Sequence, residues 1–394
     1  MMRKAHAAAA VFLLFAALNA AGAEIIETPF VPLGPQVMGR GGSFIADAHG
    51  YDSFFFNPAG FSRDDGSFTL TSAGMWIYSR PDVLIGLGQD LIAGASTPSS
   101  IIGFMNSQVT TGGLGAGSSV GIGYVGNGLG LGAVVIIDSL LSGPSLLGMR
   151  GDLTGTIGFI GGLSFPFEVG GIRIHAGGSV RPMIRIHLPL DSSDAFALLG
   201  ALATGGNALA ALNSAEALYG VGIGIDLGAI AEVGWFDFGL SIRDLAGTQF
   251  RYAQSTYGAI TSTFGSQMRF PAGTPVIADT YAIPMDIGFG IAFHPDFGTF
   301  NAVIDPSMSV DIRDLAGVLS GNTSVWTLLH AGAQVRILSI FGVSAGLNQG
   351  YLTAGVGLKL FFLDVNMAIF TRELGTYIGD KPNAGATFDA SIRW

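Results

Sequence analysis

Cysteine is absent from this sequence, and charge is scarce. Without cysteine there is neither a disulfide framework nor a thiolate metal site. Charged residues make up 12% of the chain, about half the roughly 25% usual for soluble globular proteins. What charge there is leans acidic, with 28 Asp and Glu against 18 Lys and Arg. That balance lacks the basic surface needed to displace counterions from nucleic acid, so no nucleic-acid partner is expected. Also missing, beyond the N-terminus, is an uninterrupted apolar run of about 20 residues that could cross a membrane as a helix. The nearest candidate, 195–212, is broken by Thr204-Gly205-Gly206-Asn207.

Hydrophobic residues, by contrast, make up 49% of the chain, and there are 61 glycines. The N-terminus has the form of a secretory signal over residues 1–23: Arg3 and Lys4, an apolar Val11 to Leu18, then Ala21-Gly22-Ala23. The mature chain is expected to begin at Glu24, with 16 basic residues against 28 acidic ones. An exported chain this apolar, without spanning helices, can live in lipid by closing a β-barrel, because only helices and closed barrels satisfy their backbone groups there.

Period-2 alternation supports that reading. In "GATFDASIRW", Ala386, Phe388, Ala390, Ile392 and Trp394 share one face, and Thr387, Asp389, Ser391 and Arg393 the other. Similar patterns mark strands near 67–79, 117–125, 128–138, 153–166, 171–187, 217–230, 234–244, 282–293, 299–313, 325–337, 341–348, 351–363, 364–372 and 385–394. The polar faces are rich in Gly, Ser and Thr, as suits a narrow lumen. Connections after even strands are short, such as Gly126-Asn127. Most after odd strands are long: 80–116, 139–152, 188–216, 245–281, 314–324 and 373–384. An all-β, antiparallel transmembrane barrel of about 14 strands over 65–394 is therefore expected.

Residues 24–64 do not alternate. They carry Pro29, Pro32, Pro35, Gly39, Gly41 and Gly42, then "FFFNPAGFSR" at 54–63. Tethered to the first strand, this segment is expected to fold back as a plug, with Phe54, Phe55 and Phe56 packing inside and Asn57-Pro58-Ala59 turning the chain out to the wall. The stretch "MGRGGSFIADAHGYDSFFFNPAGFSR", 38–63, resembles the FadL family of outer-membrane transporters for long-chain fatty acids and other hydrophobic compounds, and is most similar to spirochaete FadL-like proteins. The resemblance rests on Gly39, Arg40, Ala46, Asp47, Asn57, Pro58 and Ala59. It implies a fourteen-stranded barrel in the bacterial outer membrane with an N-terminal hatch, a passive uptake role and no cofactor. The partners it implies are fatty acids and similar hydrophobic molecules, outer-membrane lipid and the barrel assembly machinery. The terminal Trp394 resembles the assembly signal of such barrels. Some members of the family are linked to secretion instead, so a plugged barrel that binds another protein remains the alternative.

Other candidates are weaker. In loop 188–216, Ala195, Leu198, Leu199 and Leu202 fall at helical spacing and Leu209 with Leu212 repeat it. With Phe196, they could collect apolar ligands or simply close the barrel mouth. Asp191 or Ser193 could cap the helix. Arg181 and Arg185 share a strand face, and Arg243 and Arg313 open two copies of "RDLAG", read as strand-to-loop exits. These four arginines could hold a carboxylate head group, or pair with lumenal Asp226, Asp237, Asp286 or Asp311. Pro182 is expected to mark a bulge. No histidine spacing fits a metal, and no catalytic arrangement emerges, so an enzyme is not expected.

Overall fold

The computed structural model describes residues 24–79, 113–315 and 324–394, apart from 144, 146, 147, 204, 205, 208, 277–279 and 376. The expected signal segment 1–23, most of loop 80–116 and most of loop 314–324 lie outside the described residues.

Among the described residues, fourteen antiparallel strands form the wall. They are β1 (Ser67–Ser79), β2 (Leu114–Gly126), β3 (Leu129–Ser142), β4 (Arg150–Val169), β5 (Ile172–Leu190), β6 (Glu216–Val233) and β7 (Phe236–Arg243), then β8 (Asp286–Phe293), β9 (Ile304–Ile312), β10 (Leu329–Ile337), β11 (Phe341–Asn348), β12 (Tyr351–Leu360), β13 (Leu363–Glu373) and β14 (Pro382–Arg393). β14 pairs back onto β1, which closes the cylinder and leaves no free edge. The pleat sorts the side chains. On β6, Val221, Ile223, Ile225 and Leu227 are exposed on the outer surface, while Asp226 on the other parity is 2% exposed. The same apolar outer face recurs on β9 with Met308, Val310 and Ile312. The Asn127-Gly128 turn joining β2 to β3 has both residues at positive φ (52° and 82°), the geometry that two-residue hairpins favour. Exposed Trp235, Phe297, Phe300, Phe361 and Trp394 ring this turn end of the barrel, as aromatic girdles do at a membrane interface.

The sequence-based outline fails in three places. Segment 245–281 is not a plain loop. After Arg243 the chain kinks through Asp244, Ala246 and Gly247 at φ 51°, 64° and 78°, and then resumes as a strand over Thr248–Thr256. This upper strand pairs with β6 and with Thr280–Ile283 above β8. A helix, Tyr257–Gln267, lies between. The first "RDLAG" is therefore a bend within the wall, held by the Leu245 amide donating to the Ile225 carbonyl at 2.8 Å. Second, Pro182 makes no bulge. The β4–β5 ladder lapses beside it and resumes in the same register, and opposite β6 Pro182 sits in line with Ile223. Third, the strands expected from 299 and 325 begin only at Ile304 and Leu329, after 3₁₀ turns at Gly298–Ala302 and Val325–Leu328.

The seam between β14 and β1 includes the last residue. Trp394 donates its amide to the Phe68 carbonyl at 3.1 Å, accepts from the Phe68 amide at 2.8 Å, and its ring lies 5.3 Å from that of Phe68. Trp394→Ser keeps the backbone bonds but loses an aromatic contact of about 0.5–1.5 kcal/mol at the seam that closes the barrel. The expected outcome is a several-fold lower yield of folded barrel, read as loss of heat-modifiable gel migration, with wild-type thermal stability in whatever fraction does close.

Candidate functional site

Inside the cylinder lies the segment from Glu27 to Gly66. It forms short helices at Pro35–Met38 and Ser53–Phe56 and 3₁₀ turns at Gly50–Asp52 and Pro58–Ser62. Phe54, Phe55 and Phe56 are 2%, 0% and 6% exposed. Phe54 meets Tyr51 and Phe61 edge-on at 5.5 and 5.6 Å, Phe56 meets Phe44 at 5.6 Å, and Phe55 lies 6.1 Å from Phe30. Asn57 is the joint. Its Oδ1 accepts from the Ala59 amide at 3.1 Å and starts the next turn. Its Nδ2 donates to the Ile45 carbonyl at 3.0 Å and reaches the Leu240 carbonyl of the wall at 3.3 Å.

Glycine lets this segment lie directly on the barrel. A Cβ on Gly346 would come within 2.5 Å of the Gly41 nitrogen, and one on Gly355 within 3.0 Å of the Gly39 Cα. On the other side of the lumen, a Cβ on Gly177 would meet the Pro58 carbonyl at 2.5 Å, and one on Gly239 the Ala46 Cα at 2.6 Å. Gly41 itself sits at φ +67°, a conformation that side chains resist.

Charged groups complete the seating. Buried Arg40 bridges to Asp47 at 2.6 Å and donates to Ser309 Oγ at 3.1 Å. The Phe44 and Ile45 amides both donate to Asp311, at 2.5 and 2.8 Å. At the turn end Arg63 pairs with Asp237 at 2.6 Å. At the loop end Glu27 pairs with Arg185 at 2.9 Å and accepts from the Tyr252 hydroxyl at 2.9 Å. Burial opposes ionisation of Asp47, but Arg40, His294 and His49 outweigh it and hold the carboxyl well below its usual range. Burial likewise opposes ionisation of Glu27, and His187, Arg185 and Tyr252 bring its carboxyl down.

On the loop side of this plug is a cavity of about 510 Å³. Its floor is Phe30, Val31, Leu33, Met38 and Phe56 from the plug, and its side is Trp76, Tyr78, Ile136 and Leu140 from the wall. Charged side chains line much of the rest: Asp138, Asp152, Asp286, Asp314 and Glu373 against Arg185, Arg313 and Arg372. Trp76 Nε1 and the Tyr78 hydroxyl both donate to Asp138, at 2.7 and 2.8 Å, and the Arg372 guanidinium lies over the Tyr78 ring at 4.5 Å. Arg313 also lines the cavity, 5.2 Å over the Phe56 ring, with Asp286 3.8 Å away.

The residues singled out from the sequence divide clearly. Gly39, Arg40, Asp47, Phe54, Phe55, Phe56, Asn57, Pro58 and Ala59 come together in the plug. Arg185 and Arg313 line the cavity, and Arg185 is already engaged by Glu27. Arg181 and Arg243 do not reach it. Arg181 is fully buried between Asp226 at 2.7 Å and Asp244 at 2.8 Å, and Arg243 is 4% exposed beside the same carboxylates. The kink at Asp244 turns these arginines into wall fasteners. The helix of the outer loop, Ser192–Ala203, is capped by Asp191, which accepts from the Ser193 and Asp194 amides at 2.8 and 2.9 Å. Its Ala195 and Leu198, with Leu212, are buried against Leu188, Leu190, Tyr219 and Ile260. They close the mouth and line no part of the cavity, while Phe196 and Leu209 point outward at 55% and 48% exposure. The side chains of Leu199 and Leu202 lie outside the described residues. Arg372 was expected, with Arg185, Arg243 and Arg313, in an upper basic ring, but Trp76, Tyr78 and Asp138 beside it were not anticipated as a site. Its signal is Trp76 and Tyr78 on the lumen parity of β1, opposite lipid-facing Met75 and Ile77.

No protein-family model and no curated protein matches the sequence. Solved structures with a similar course of the chain include the Pseudomonas putida toluene transporter TodX, 12% identical over 94% of this chain and 99% of that chain, at a TM-score of 0.47. The Ralstonia pickettii toluene transporter TbuX is 14% identical over 92% and 97%, at 0.49. A Pseudomonas aeruginosa FadL homologue is 12% identical over 95% and 99%, at 0.46.

Asp47→Asn leaves Arg40 buried and without its counter-charge, a loss of about 3–5 kcal/mol in comparable buried pairs. The variant is expected to keep a closed barrel but to be cut by protease within 27–66 at neutral pH, where the wild type is protected. The pH dependence has a definite sign. Because folded Asp47 and Glu27 titrate below their unfolded values, their contribution is complete above about pH 5 and fades as pH falls through and below about 4. Wild-type plug protection should therefore hold from pH 8 to 5 and drop in stronger acid. A plug equally protected in Asp47→Asn would remove the pair from this role.

Proposed function

We propose that the protein is a FadL-like passive channel of the bacterial outer membrane, taking up hydrophobic compounds, long-chain fatty acids among them, past its N-terminal plug. The observation that carries this reading is the cavity between plug and loops. Its size, about 510 Å³, falls within the roughly 300–1,000 Å³ of small-molecule sites. Its floor is aromatic and aliphatic, and its polar lining includes three guanidinium groups, Arg185, Arg313 and Arg372, of which Arg185 is engaged by Glu27. An apolar chain fits the floor of Phe30, Leu33 and Phe56, and a carboxylate can accept charge-assisted hydrogen bonds from Arg313 or Arg372. The apolar outer face and aromatic girdle suit a lipid bilayer, and the long-loop end is assigned to the cell surface. The spirochaete affinity and the partnership with the assembly machinery belong to the same proposal. Uptake down a gradient needs binding and release only, without chemistry or cofactor.

A second reading draws on Phe196, Leu209, Met268 and Trp326, all exposed at the loop end. In it the plugged barrel presents an apolar surface to another protein, as in secretion. Mass spectrometry of small molecules retained by the native protein separates the two. Fatty acids or other lipophiles bound at near-stoichiometric amounts support the channel, and an empty cavity favours the second reading.

Gating is tested at the aromatic cluster. Burying one phenylalanine is worth about 1.5–3 kcal/mol, so Phe54→Ala with Phe56→Ala should loosen the plug without opening the wall. Conductance in planar bilayers should rise several-fold while heat-modifiable migration stays normal. Wild-type conductance in a normally folded double variant would count against the plug as the gate.

A further inference from the structure

Three cavities lie in series along one side of the lumen. The upper one, described above, shares Pro32, Leu33 and Trp76 with a much smaller cavity of about 20 Å³, room for about one water. That small cavity in turn shares Gln36, Tyr51, Asp52 and Arg393 with a third, of about 570 Å³, which reaches the turn end among Ser339, Phe361 and Trp394. Elsewhere plug backbone rests on wall glycines. Here it does not. The three atoms nearest to a Cβ placed on Gly74 all belong to the wall: Ser119 Oγ at 2.9 Å, the Phe388 carbonyl at 3.7 Å and Asp389 Oδ2 at 4.0 Å. Along this line the plug meets β2 and β14 through isolated contacts: the Tyr51 hydroxyl lies against Gly121, and Thr387 Oγ1 donates to the Leu33 carbonyl at 2.6 Å.

What closes the line is a few side chains. The Arg393 guanidinium lies 5.6 Å over the Tyr51 ring, joining wall to plug, and Ser72 Oγ donates to Asp389 at 2.8 Å. Arg393 Nε has no hydrogen-bond partner among the described residues. We infer that this line is the exit route of the channel: a side passage between the plug and β1, β2 and β14, gated where Tyr51 and Asp52 of the plug face Asp389 and Arg393 of the wall. The inference rests on the channel reading above and adds where the ligand leaves. Rotation of the Tyr51 and Arg393 side chains joins the upper and lower cavities while the plug stays seated on its glycines. The narrow middle cavity is lined by two carboxylates, Asp52 and Asp389, against one guanidinium, Arg393, so ions crossing this constriction are predominantly cations and a hydrophobic ligand crosses as a neutral molecule.

The absence of cysteine makes the passage directly testable. Ser72→Cys and Ser119→Cys place a single thiol on its wall, and Ala292→Cys places one at a fully buried wall position that lines none of the three cavities. Each variant is treated with a positively charged methanethiosulfonate reagent in planar bilayers, with modification confirmed by mass. The expected result is modification at 72 and 119 but not at 292, with current falling by more than half. The inference is overturned if the thiols at 72 and 119 stay unmodified, or if their modification leaves current and uptake of labelled fatty acid unchanged. If modification blocks the cation current but the wild type takes up no hydrophobic compound, the passage stands and the ligand reading falls.

Discussion

The structure depends on one close approach: the backbone of an internal segment laid against the backbone of the wall that surrounds it. A fourteen-stranded cylinder has a lumen that inward side chains would otherwise have to fill or leave wet. Here the inward parity is repeatedly stripped to glycine, as on β2 and β3, where Gly121, Gly123, Gly130 and Gly132 lie against Tyr51, Phe54 and Phe61 and alternate with outward Val120, Ile122 and Leu131. The space so cleared admits a second chain, and the plug supplies the core that the wall lacks. Its aromatic cluster then packs against bare backbone, so one small segment touches strands around much of the circumference.

Charge inside the cylinder follows the same logic. Few ionisable groups face inward, and most are committed. Arg181 is held by Asp226 and Asp244, Arg185 by Glu27, Arg63 by Asp237, and Arg40 by Asp47. Buried charges persist only when paired and hydrogen-bonded; of these pairs, Arg185–Glu27 and Arg63–Asp237 join plug to wall, while the others brace the wall or the plug internally. Arg313 and Arg372 differ: both line the cavity, and their closest polar contacts are longer. The division between fastening and cavity-lining arginines follows from where each strand bends.

That bend explains how far the sequence could be read. Strand alternation is local, and β1 and β14 are legible from a dozen residues each. The plug was legible because proline and glycine interrupt alternation and because Phe54 to Phe56 need an interior. The kink at Asp244 was not, since a left-handed aspartate followed by Leu-Ala-Gly reads equally as the end of a strand. Both Asp244 and Asp314 lie at positive φ and donate their amides to a carboxylate on an adjacent strand, Asp226 and Asp286. In the first copy the chain then continues up the wall. Whether a guanidinium faces a cavity or a neighbouring carboxylate depends on strand register across the barrel, which one strand's pattern does not contain.

Residues Glu24–Ile26 lie alongside Thr280–Ala282 as a parallel strand in the loop half of the barrel, whereas the same segment joins β1 at the opposite end. The inner chain thus runs the full length of the lumen and is anchored at both ends. Once β1 and β14 have paired, no side remains through which such a strand could be laid in, and threading it lengthwise would mean dragging its aromatic rings past walls that fit them closely. The topology therefore imposes an order of events: the barrel is wrapped around its contents, and the seam at Phe68 and Trp394 is the last stitch.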